Sequence, residues 1–524
     1  MRIKNLLFRL LLIVYALYAT AFIFNTSTVV DGKRYFMLFD DGMISMRYAR
    51  HLADGQGLVW NPGEERVEGY TNPLWTVYMA LFHVLRIDPA VISAFIQFSG
   101  AIFLLINLIF VRQIAELLND DLPYVGLLAA VFTAFYLPLN TWSLLGMEVS
   151  ILALLISVVV WLLLRNLKQG TFSTLPYVLL GVGTLIRTDA ALPFAIVIAF
   201  MALYDAPNRR RHLLAGLPIL IGFIAAQTLF RLAYYGDIVP NTYHLKVEGY
   251  PLTLRIGYGL LAFLTQASMM NWLIFSLPFA ILIFRRDRMV MLLLALYAGQ
   301  AAYSIYVGGD AWDWWGGANR FISVSMPLFF VLMATTLGKL YQAVTAARKG
   351  NVRRGRMLLN LGSVLVIALM IVNMNAVDNG KALGEWTMTK PALHVLDSIE
   401  FLQRSMIVEQ TTTPDASLAV VHAGLLPYFT NRPTIDMLGK SDKYIASLPM
   451  RQGLGWYAGH LKWDYSYSIG QLHPDVIVEL WFLEEGAAPY LVDYDKVNIS
   501  GWTFYFRKDS PRVLWDKVQT LSAS

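Results

Sequence analysis

The sequence predicts a polytopic membrane protein that is mostly α-helical, followed by a small α/β domain at its C-terminal end. Of its 524 residues, 56% are hydrophobic and only 15% are charged, whereas about a quarter of the residues in a soluble domain are charged. Apolar runs of roughly twenty residues, the length that crosses a bilayer, recur as far as residue 375 and not beyond it. The short gaps between these runs hold the basic clusters, at residues 209–211, 285–288 and 348–356.

The first apolar run, residues 6–24, sets the expected orientation. Arg2, Lys4 and Arg9 lie at its start, and positive residues stay on the cytoplasmic side. It has no small-residue cleavage site, so we expect a retained helix rather than a signal peptide. Following the later runs gives about eleven transmembrane helices in residues 1–375, with every strong basic cluster on one side. We expect the cell inner (plasma) membrane, a cytoplasmic N-terminus and a C-terminal domain outside.

Several function classes have no support in the sequence. The net charge of +6 does not indicate nucleic-acid binding, because membrane orientation explains the basic clusters. The chain has no Cys, which excludes disulfide bonds and thiolate metal sites. It also lacks the P-loop pattern, a dinucleotide-binding glycine pattern after a strand, and H-E-x-x-H.

Residues 376–524 differ in composition from the rest of the chain. They carry charges and scattered aromatic residues, without an apolar run long enough to span a membrane. Residues 418–422 and 476–480 are typical of short strands, and residues 392–403 are typical of a helix. We therefore predict a small α/β domain here, and its alternative role is that of a structural cap.

The first outer loop, residues 25–73, contains two adjacent carboxylates, Asp40 and Asp41. Charges at the end of a spanning helix are costly unless they are needed, and a positioned carboxylate can deprotonate a hydroxyl group. We take both as candidate catalytic residues. The alternative is a plain turn, because Asp41 and Gly42 form a common turn dipeptide.

Other unusual polar residues fall at the outer ends of different spans, where they can converge on one site. Arg187, Lys246 and Arg320 are candidates for holding a phosphate. Candidates for binding the rest of a substrate are Glu148, Asp189, His244, Asp310, Trp312 and Trp315. The alternatives are a structural Arg187–Asp189 pair, an interfacial aromatic belt and an ordinary interfacial histidine.

No metal or cofactor is required by this set of residues. Glu148 and Asp41 are the only pair considered for a metal, and no ligand spacing supports them. A divalent cation near Asp41 is therefore the less favoured alternative.

The motifs resemble those of a known superfamily. The stretch D-D-G-M-I-S-M-R-Y at residues 40–48, with G-L-V-W-N-P-G at 57–63 and V-E-G-Y-T-N-P-L-W at 67–75, is similar to the mycobacterial terminal β-(1→2)-arabinofuranosyltransferase family within the GT-C superfamily. Shorter similarities are G-G-D at 308–310 leading to Arg320, and I-D-M-L-G at 435–439. The chain departs from the pattern by inserting A-W-D-W-W before Arg320.

The resemblance implies a GT-C fold and inverting transfer from a polyprenyl-phosphate sugar, decaprenyl-phosphoryl arabinofuranose in the mycobacterial members. It implies that Asp40 or Asp41 is a general base, and that Glu148, Asp310 and Arg320 line the site. We therefore expect an integral membrane glycosyltransferase, in contact with membrane lipid, that acts on a cell-envelope glycan acceptor. The inserted residues leave the identity of the sugar open. The alternatives are a secondary transporter or lipid flippase, and a non-catalytic envelope assembly protein that keeps a transferase fold.

Overall fold

The computed structural model describes residues 2–313, 319–347, 352–375, 381–482 and 484–523. Packing divides the chain into two compact units, each assembled from three stretches. The first unit comprises Met1–Asn25, Gln97–Ala225 and Leu252–Leu393, and the second comprises Thr26–Ile96, Ala226–Pro251 and His394–Ser524. The second unit thus combines the predicted first outer loop with most of the predicted tail domain, while the predicted boundary after residue 375 stays a prediction.

The helices of the described residues follow in chain order as α1 (Arg2–Asn25), α2 (Asp40–Ala53), α3 (Pro73–Val84), α4 (Pro89–Leu118), α5 (Val125–Ala134), α6 (Leu137–Leu144), α7 (Val149–Gln169), α8 (Leu175–Ile186), α9 (Ala191–Tyr204), α10 (Arg209–Tyr235), α11 (Asn241–Lys246), α12 (Leu252–Met269), α13 (Trp272–Phe284), α14 (Arg288–Val307), α15 (Arg320–Ser323), α16 (Met326–Ala347) and α17 (Val352–Asn375). Those of the C-terminal region are α18 (Lys381–Trp386), α19 (Val395–Thr411), α20 (Leu425–Thr430), α21 (Lys443–Ser447), α22 (Tyr465–Ser468) and α23 (Trp515–Ser522). The chain is mostly α-helical, as predicted.

Six helices in the described part of the chain are long and apolar enough to cross a bilayer: Ile3–Asn25, Pro89–Leu118, Val149–Gln169, Ala206–Tyr235, Arg288–Val307 and Met326–Ala346. Two pairs, α5 with α6 and α12 with α13, meet the same criterion together but bend by 57° and 98°. Shorter apolar helices are Pro73–Val84, Leu175–Ile186, Thr188–Tyr204 and Asn360–Asn375. These helices make the chain a multi-pass membrane protein, and the expected number of eleven stays a prediction.

Both bends have local causes. Pro138 lies in the first turn of α6. A proline is tolerated there because its missing N–H would have no partner within the helix, but it prevents α5 and α6 from forming one continuous helix. Asn271 adopts a positive φ of 66° between α12 and α13, and its side chain accepts a hydrogen bond from the N–H of Leu273. That side-chain bond caps the first turn of α13.

The second unit contains a five-stranded mixed sheet. Its strands are β3 (Leu418–Val420), β4 (Thr434–Asp436), β5 (Val476–Ile477), β6 (Tyr494–Ile499) and β7 (Trp502–Arg507), while β1 (Thr28–Val30) and β2 (Lys33–Tyr35) form a separate antiparallel pair. The order is β4-β3-β5-β7-β6. Strand β3 pairs in parallel with β4 and β5, and β7 is antiparallel to β5 and β6.

Side chains of β7 alternate between two buried apolar clusters, as expected for a pleated strand. Phe504 and Phe506 lie in one cluster, and Tyr505 lies in the other with Trp463. The strands predicted at 418–422 and 476–480 are confirmed as β3 and β5. The helix predicted at 392–403 is confirmed as α19, which begins at Val395 and runs on to Thr411.

Candidate active site

The predicted catalytic pair begins a helix in the second unit. Asp40 and Asp41 form the first turn of α2, where the positive end of the helix dipole favours carboxylates. Oδ1 of Asp40 accepts a hydrogen bond of 2.8 Å from the N–H of Leu425. Oδ2 of Asp40 is buried and accepts no hydrogen bond among the described residues. Burial raises the pKa of Asp40, although the charges of His422 and Lys440 oppose the shift.

A glycine permits this arrangement around Asp40. A Cβ atom added to Gly424 would lie 2.0 Å from the main-chain oxygen of Asp40 and 2.7 Å from its Oδ1. The start of α20 can therefore approach Asp40 closely only because residue 424 has no side chain.

Asp41 is paired with a lysine from the C-terminal region. Nζ of Lys440 lies 2.7 Å from Oδ1 of Asp41, with side chains 9% and 18% exposed. Burial lowers the pKa of Lys440, but Asp41 and Asp40 outweigh that effect and raise it overall. Lys440 therefore stays protonated beside Asp41.

The loop that presents Lys440 is organised by Asp436, the last residue of β4. Its carboxylate accepts hydrogen bonds from the main-chain N–H groups of Leu438, Gly439 and Ser441 at 3.0, 3.1 and 2.7 Å. Burial raises the pKa of Asp436 to about 6. The I-D-M-L-G motif singled out in the sequence is this loop.

A histidine and a glutamate lie near Asp40 as a second acid–base pair. Nδ1 of His422 is 3.0 Å from Oε2 of Glu479, and Glu479 Oε1 also accepts hydrogen bonds from the N–H groups of Val421 and His422. Burial alone would raise the pKa of Glu479. The charge and hydrogen bonds of His422 outweigh this effect and lower the pKa of Glu479 to about 2. The pKa of His422 is raised, because the attraction of Glu479 outweighs burial.

Sequence reasoning missed His422, Lys440 and Glu479. They follow β3, β4 and β5, the three mutually parallel strands of the sheet. Ligands of open α/β sheets bind outside the carboxyl ends of parallel strands. That rule is the signal that could have identified these residues once the strands were recognised as parallel.

Two candidate residues of α11, Lys246 and His244, have different surroundings. Lys246 packs against the main chain beside His460, since a Cβ at Gly459 would be 2.8 Å from its Cε. Burial and the charges of Lys440 and Lys246 lower the pKa of His460. By contrast, both ring nitrogens of His244 contact carboxylates of its own loop, Nε2 with Asp237 at 2.8 Å and Nδ1 with Glu248.

The remaining predicted residues belong to the first unit. Arg187 is extended between α8 and the following turn, and it contacts Glu148 at 2.7 Å and Asp189 at 2.8 Å. Arg320 forms a two-point pair with Asp310, with both contacts at 2.8 Å. The structural pairing of Arg187 with Asp189, named above as an alternative, is thus present.

These residues surround one pocket of the first unit. It is lined by Glu148, Val149, Leu152, Leu155, Ile156, Leu180, Arg187, Asp189, Ala190, Pro193, Gln300, Arg320, Phe321 and Val324. Asp310 contacts Arg320, which lines the pocket, and Trp312 is 7% exposed. Trp315 lies outside the described residues. The structure therefore groups the predicted residues in two sets, one in each unit.

Metal binding has no ready-made ligand set in the described part of the chain, where no group of three or more His, Asp or Glu side chains is arranged to hold an ion. Glu148 and Asp41, the pair considered from the sequence, belong to different units.

Comparisons with known proteins place the fold. Residues 394–519 match a family model described as a domain of unknown function, DUF8728. Terminal β-(1→2)-arabinofuranosyltransferases of Mycobacterium tuberculosis and Corynebacterium glutamicum are each 28% identical, over 39% and 52% of this chain. These matches span 34% and 44% of the relatives' own lengths.

Solved structures match almost the whole chain. ArnT from Cupriavidus metallidurans bound to undecaprenyl phosphate is 13% identical, with a TM-score of 0.59 over 96% of this chain and 98% of that one. The oligosaccharyltransferase AglB from Archaeoglobus fulgidus, in complex with an inhibitory peptide and a dolichol phosphate, is 11% identical, with a TM-score of 0.55 over 96% and 75%. The chain has the GT-C fold of these membrane glycosyltransferases, as the resemblance of its motifs implied.

Proposed function

We propose that the protein is an integral membrane glycosyltransferase that moves a sugar from a polyprenyl-phosphate donor to a hydroxyl group of a glycan. The observation that carries the proposal is the contact between Asp41 and Lys440, which brings a carboxylate and a cation together at the carboxyl ends of parallel strands. The lipid phosphates in the ArnT and AglB structures and the names of the curated relatives support the donor class.

Asp41 is the general base in this proposal. Its side chain keeps 18% of its surface exposed, whereas one oxygen of Asp40 is buried and the other accepts the N–H of Leu425. Asp40 therefore serves to position α2, and its charge favours the ammonium of Lys440. A base of this kind removes the proton of the acceptor hydroxyl as the hydroxyl attacks.

The transfer is a single displacement. The acceptor oxygen forms a bond to the anomeric carbon on the face opposite the phosphate, and the old carbon–oxygen bond breaks with its electron pair passing to the phosphate oxygen. The hydroxyl proton moves to Asp41, so the configuration inverts and polyprenyl phosphate leaves. A phosphate is a good leaving group, so the step requires no cofactor.

Lys246 is the cation that best suits the donor phosphate. Lys246 and Lys440 both lie within electrostatic reach of His460, as does the candidate base Asp41. Arg187 is less suited to an anion, because Glu148 and Asp189 together carry one more charge than it neutralises. Arg320 is likewise matched by Asp310.

The pocket of the first unit suits an amphiphilic ligand. Its walls from α7 are aliphatic, with Leu152, Leu155 and Ile156, while Arg187 and Gln300 provide donors. The lining therefore combines a contact surface for an apolar chain with hydrogen-bond donors for a polar group.

The experiment reconstitutes the full chain in liposomes with a labelled polyprenyl-phosphate sugar and an oligosaccharide acceptor. Donors carrying arabinofuranose, mannose, galactofuranose and 4-amino-4-deoxyarabinose are compared, because they share the polyprenyl phosphate and differ only in the sugar. We expect a covalent product of inverted anomeric configuration by NMR with at least one donor, arabinofuranose first. Movement of intact donor across the bilayer without any product would instead identify a transporter and contradict the proposal.

A further inference from the structure

An aromatic surface in the second unit begins at His460, next to the Asp41–Lys440 pair. The ring of Tyr457 stacks on the imidazole of His460, with centroids 4.1 Å apart and planes inclined by 21°. The indole of Trp481 lies nearly parallel to Tyr457, at 5.9 Å and 16°. Its N–H donates to the main-chain oxygen of His460 at 3.1 Å. The transfer reaction described above uses none of these rings.

Phe482 extends the surface away from His460. Its ring stacks on Trp463 with centroids 5.3 Å apart and planes inclined by 16°, and it contacts the edge of Trp481 at 5.0 Å. Trp463 is 8% exposed, whereas Phe482 is 53% exposed. One face of the Phe482 ring is therefore supported by a buried indole, and much of the rest of the side chain faces solvent.

The backbone at Phe482 is unfavourable for a bulky residue. Its φ angle is 62°, in the left-handed region that residues other than glycine, asparagine and aspartate seldom adopt. An exposed aromatic ring gains little burial to offset that strain. Strain retained at such a position is typical of a functional role.

Charged and polar groups border the rings. The guanidinium of Arg451 stacks over Trp463 at 4.4 Å, and His460 lies within electrostatic reach of Lys440, Lys246 and Asp41. The rings of Trp481 and Phe482 meet at 81°, so the aromatic surface is angled. Such a surface with polar groups at its border fits a ligand that has an apolar face and polar edges. A saccharide ring has this chemistry, with C–H groups on its faces and hydroxyl groups around its rim, whereas a lipid tail has no polar edge.

We infer that Tyr457, Trp481 and Phe482 bind a saccharide ring of the acceptor, one or two sugars away from the hydroxyl that Asp41 deprotonates. This inference rests on the proposed transferase function and adds the residues that hold a second sugar of the acceptor. The rings extend from the candidate base, so the reacting sugar lies beside Asp41 and its neighbour stacks on the aromatic surface.

The test measures equilibrium binding to the full chain in lipid nanodiscs, since a maltoside detergent would itself compete for an aromatic surface. Saturation-transfer NMR is recorded with octyl disaccharides of α-(1→5)-arabinofuranose, β-(1→6)-galactofuranose and α-(1→6)-mannose, and with the corresponding monosaccharides. We expect at least one disaccharide to bind more tightly than its monosaccharide. Phe482→Ala and Trp481→Ala should each weaken that disaccharide by about three- to tenfold, and leave the monosaccharide unchanged.

The control is Trp502→Ala. Trp502 is also in the second unit, but it packs against the apolar cluster on the opposite face of the sheet, so its removal should leave disaccharide binding unchanged. Three results would overturn the inference: equal weakening by Trp502→Ala, unchanged disaccharide binding in both Phe482→Ala and Trp481→Ala, or no disaccharide binding to the wild type. Binding is measured without donor, so an inactive transferase would contradict the proposed function without altering this result.

Discussion

The ammonium of Lys440 lies 2.7 Å from the carboxylate of Asp41, although 399 positions separate the two residues in the chain. The contact joins the first turn of α2 to the loop after β4. Both side chains are largely buried, so each charge loses contact with water. The attraction between the two charges is the main contribution that offsets this loss. The candidate base therefore depends on the C-terminal region for its cationic partner.

Replacement of Lys440 tests this dependence. Lys440→Met removes the cation beside Asp41 and Asp40, so the two carboxylates repel each other without compensation and retain protons to higher pH. We expect the acidic limb of the activity–pH profile to move to higher pH, with activity at pH 7 reduced by about ten- to a hundredfold. Lys443→Met is the control, because Lys443 pairs with Glu65 at a more exposed position. A profile identical to that of the wild type would show that Lys440 does not control the base.

Gly424→Ala tests the close approach of α20 to Asp40. The new Cβ would meet the main-chain oxygen of Asp40 at 2.0 Å, so one of the two segments must move, at a cost of about 1–3 kcal/mol. We expect a lower melting temperature of the purified protein and reduced transfer. Gly455→Ala serves as the control, since a Cβ there meets nothing within 4 Å. Equal stability of the two variants would mean that the approach is not tight in the protein.

Arg47 of α2 should be required for the stability of the second unit. Its buried guanidinium donates to main-chain oxygens of Trp60, Pro427 and Arg432, and to the side chain of Asn61. Lysine cannot reproduce this fork of donors, and unsatisfied buried oxygens cost about 1–3 kcal/mol. Arg47→Lys should therefore make the C-terminal region more sensitive to limited proteolysis. Arg50→Lys is the control, because among the described residues the guanidinium of Arg50 donates one hydrogen bond, to the main-chain oxygen of Tyr428. This variant should show a much smaller change in proteolysis.

The His422–Glu479 pair predicts how stability depends on pH. The pKa of His422 is raised in the folded protein, so its contribution is complete below about 6.5, the usual pKa of histidine, and is lost as pH rises through the raised value. The pKa of Glu479 is lowered to about 2, so its contribution is complete above its usual value of about 4.3 and is lost as pH falls through about 2.

We therefore expect the contribution of this pair to be greatest between about pH 4.5 and 6.5. The melting temperature of the wild type should fall between pH 6 and pH 9 more steeply than that of His422→Gln, measured in the same lipid nanodiscs. Parallel curves for the two proteins would show that the ion pair does not contribute to the stability of the fold.

The membrane class and the small strand-containing C-terminal domain could be predicted from the sequence, because each is a local pattern. Long apolar runs indicate membrane-spanning helices, and β3 and β5 are recognisable as short apolar stretches. The partners of the carboxylates could not be predicted in the same way. Lys440, His422 and Glu479 follow strands of two or three residues, and nothing in their immediate neighbourhood shows which strands pair in parallel.

The surroundings of individual site residues could not be predicted from the sequence. Arg187, a candidate for holding a phosphate, contacts two carboxylates, Glu148 and Asp189. Trp312, a candidate for binding the substrate, is buried, whereas the exposed stacked ring of Phe482 lies in the tail. Exposure and pairing depend on the tertiary fold, which a list of polar residues at span ends does not contain.

The rate of sugar transfer by Asp41→Asn, compared with Asp54→Asn at the other end of α2, tests the central claim most directly. Both variants are assayed in liposomes under single-turnover conditions with the donor that the wild type accepts. If Asp41 is the general base, its variant should transfer about 100- to 10,000-fold more slowly, while the exposed Asp54 variant keeps the wild-type rate. Transfer by Asp41→Asn within a few-fold of the wild type would contradict the assignment of the base and the mechanism built on it.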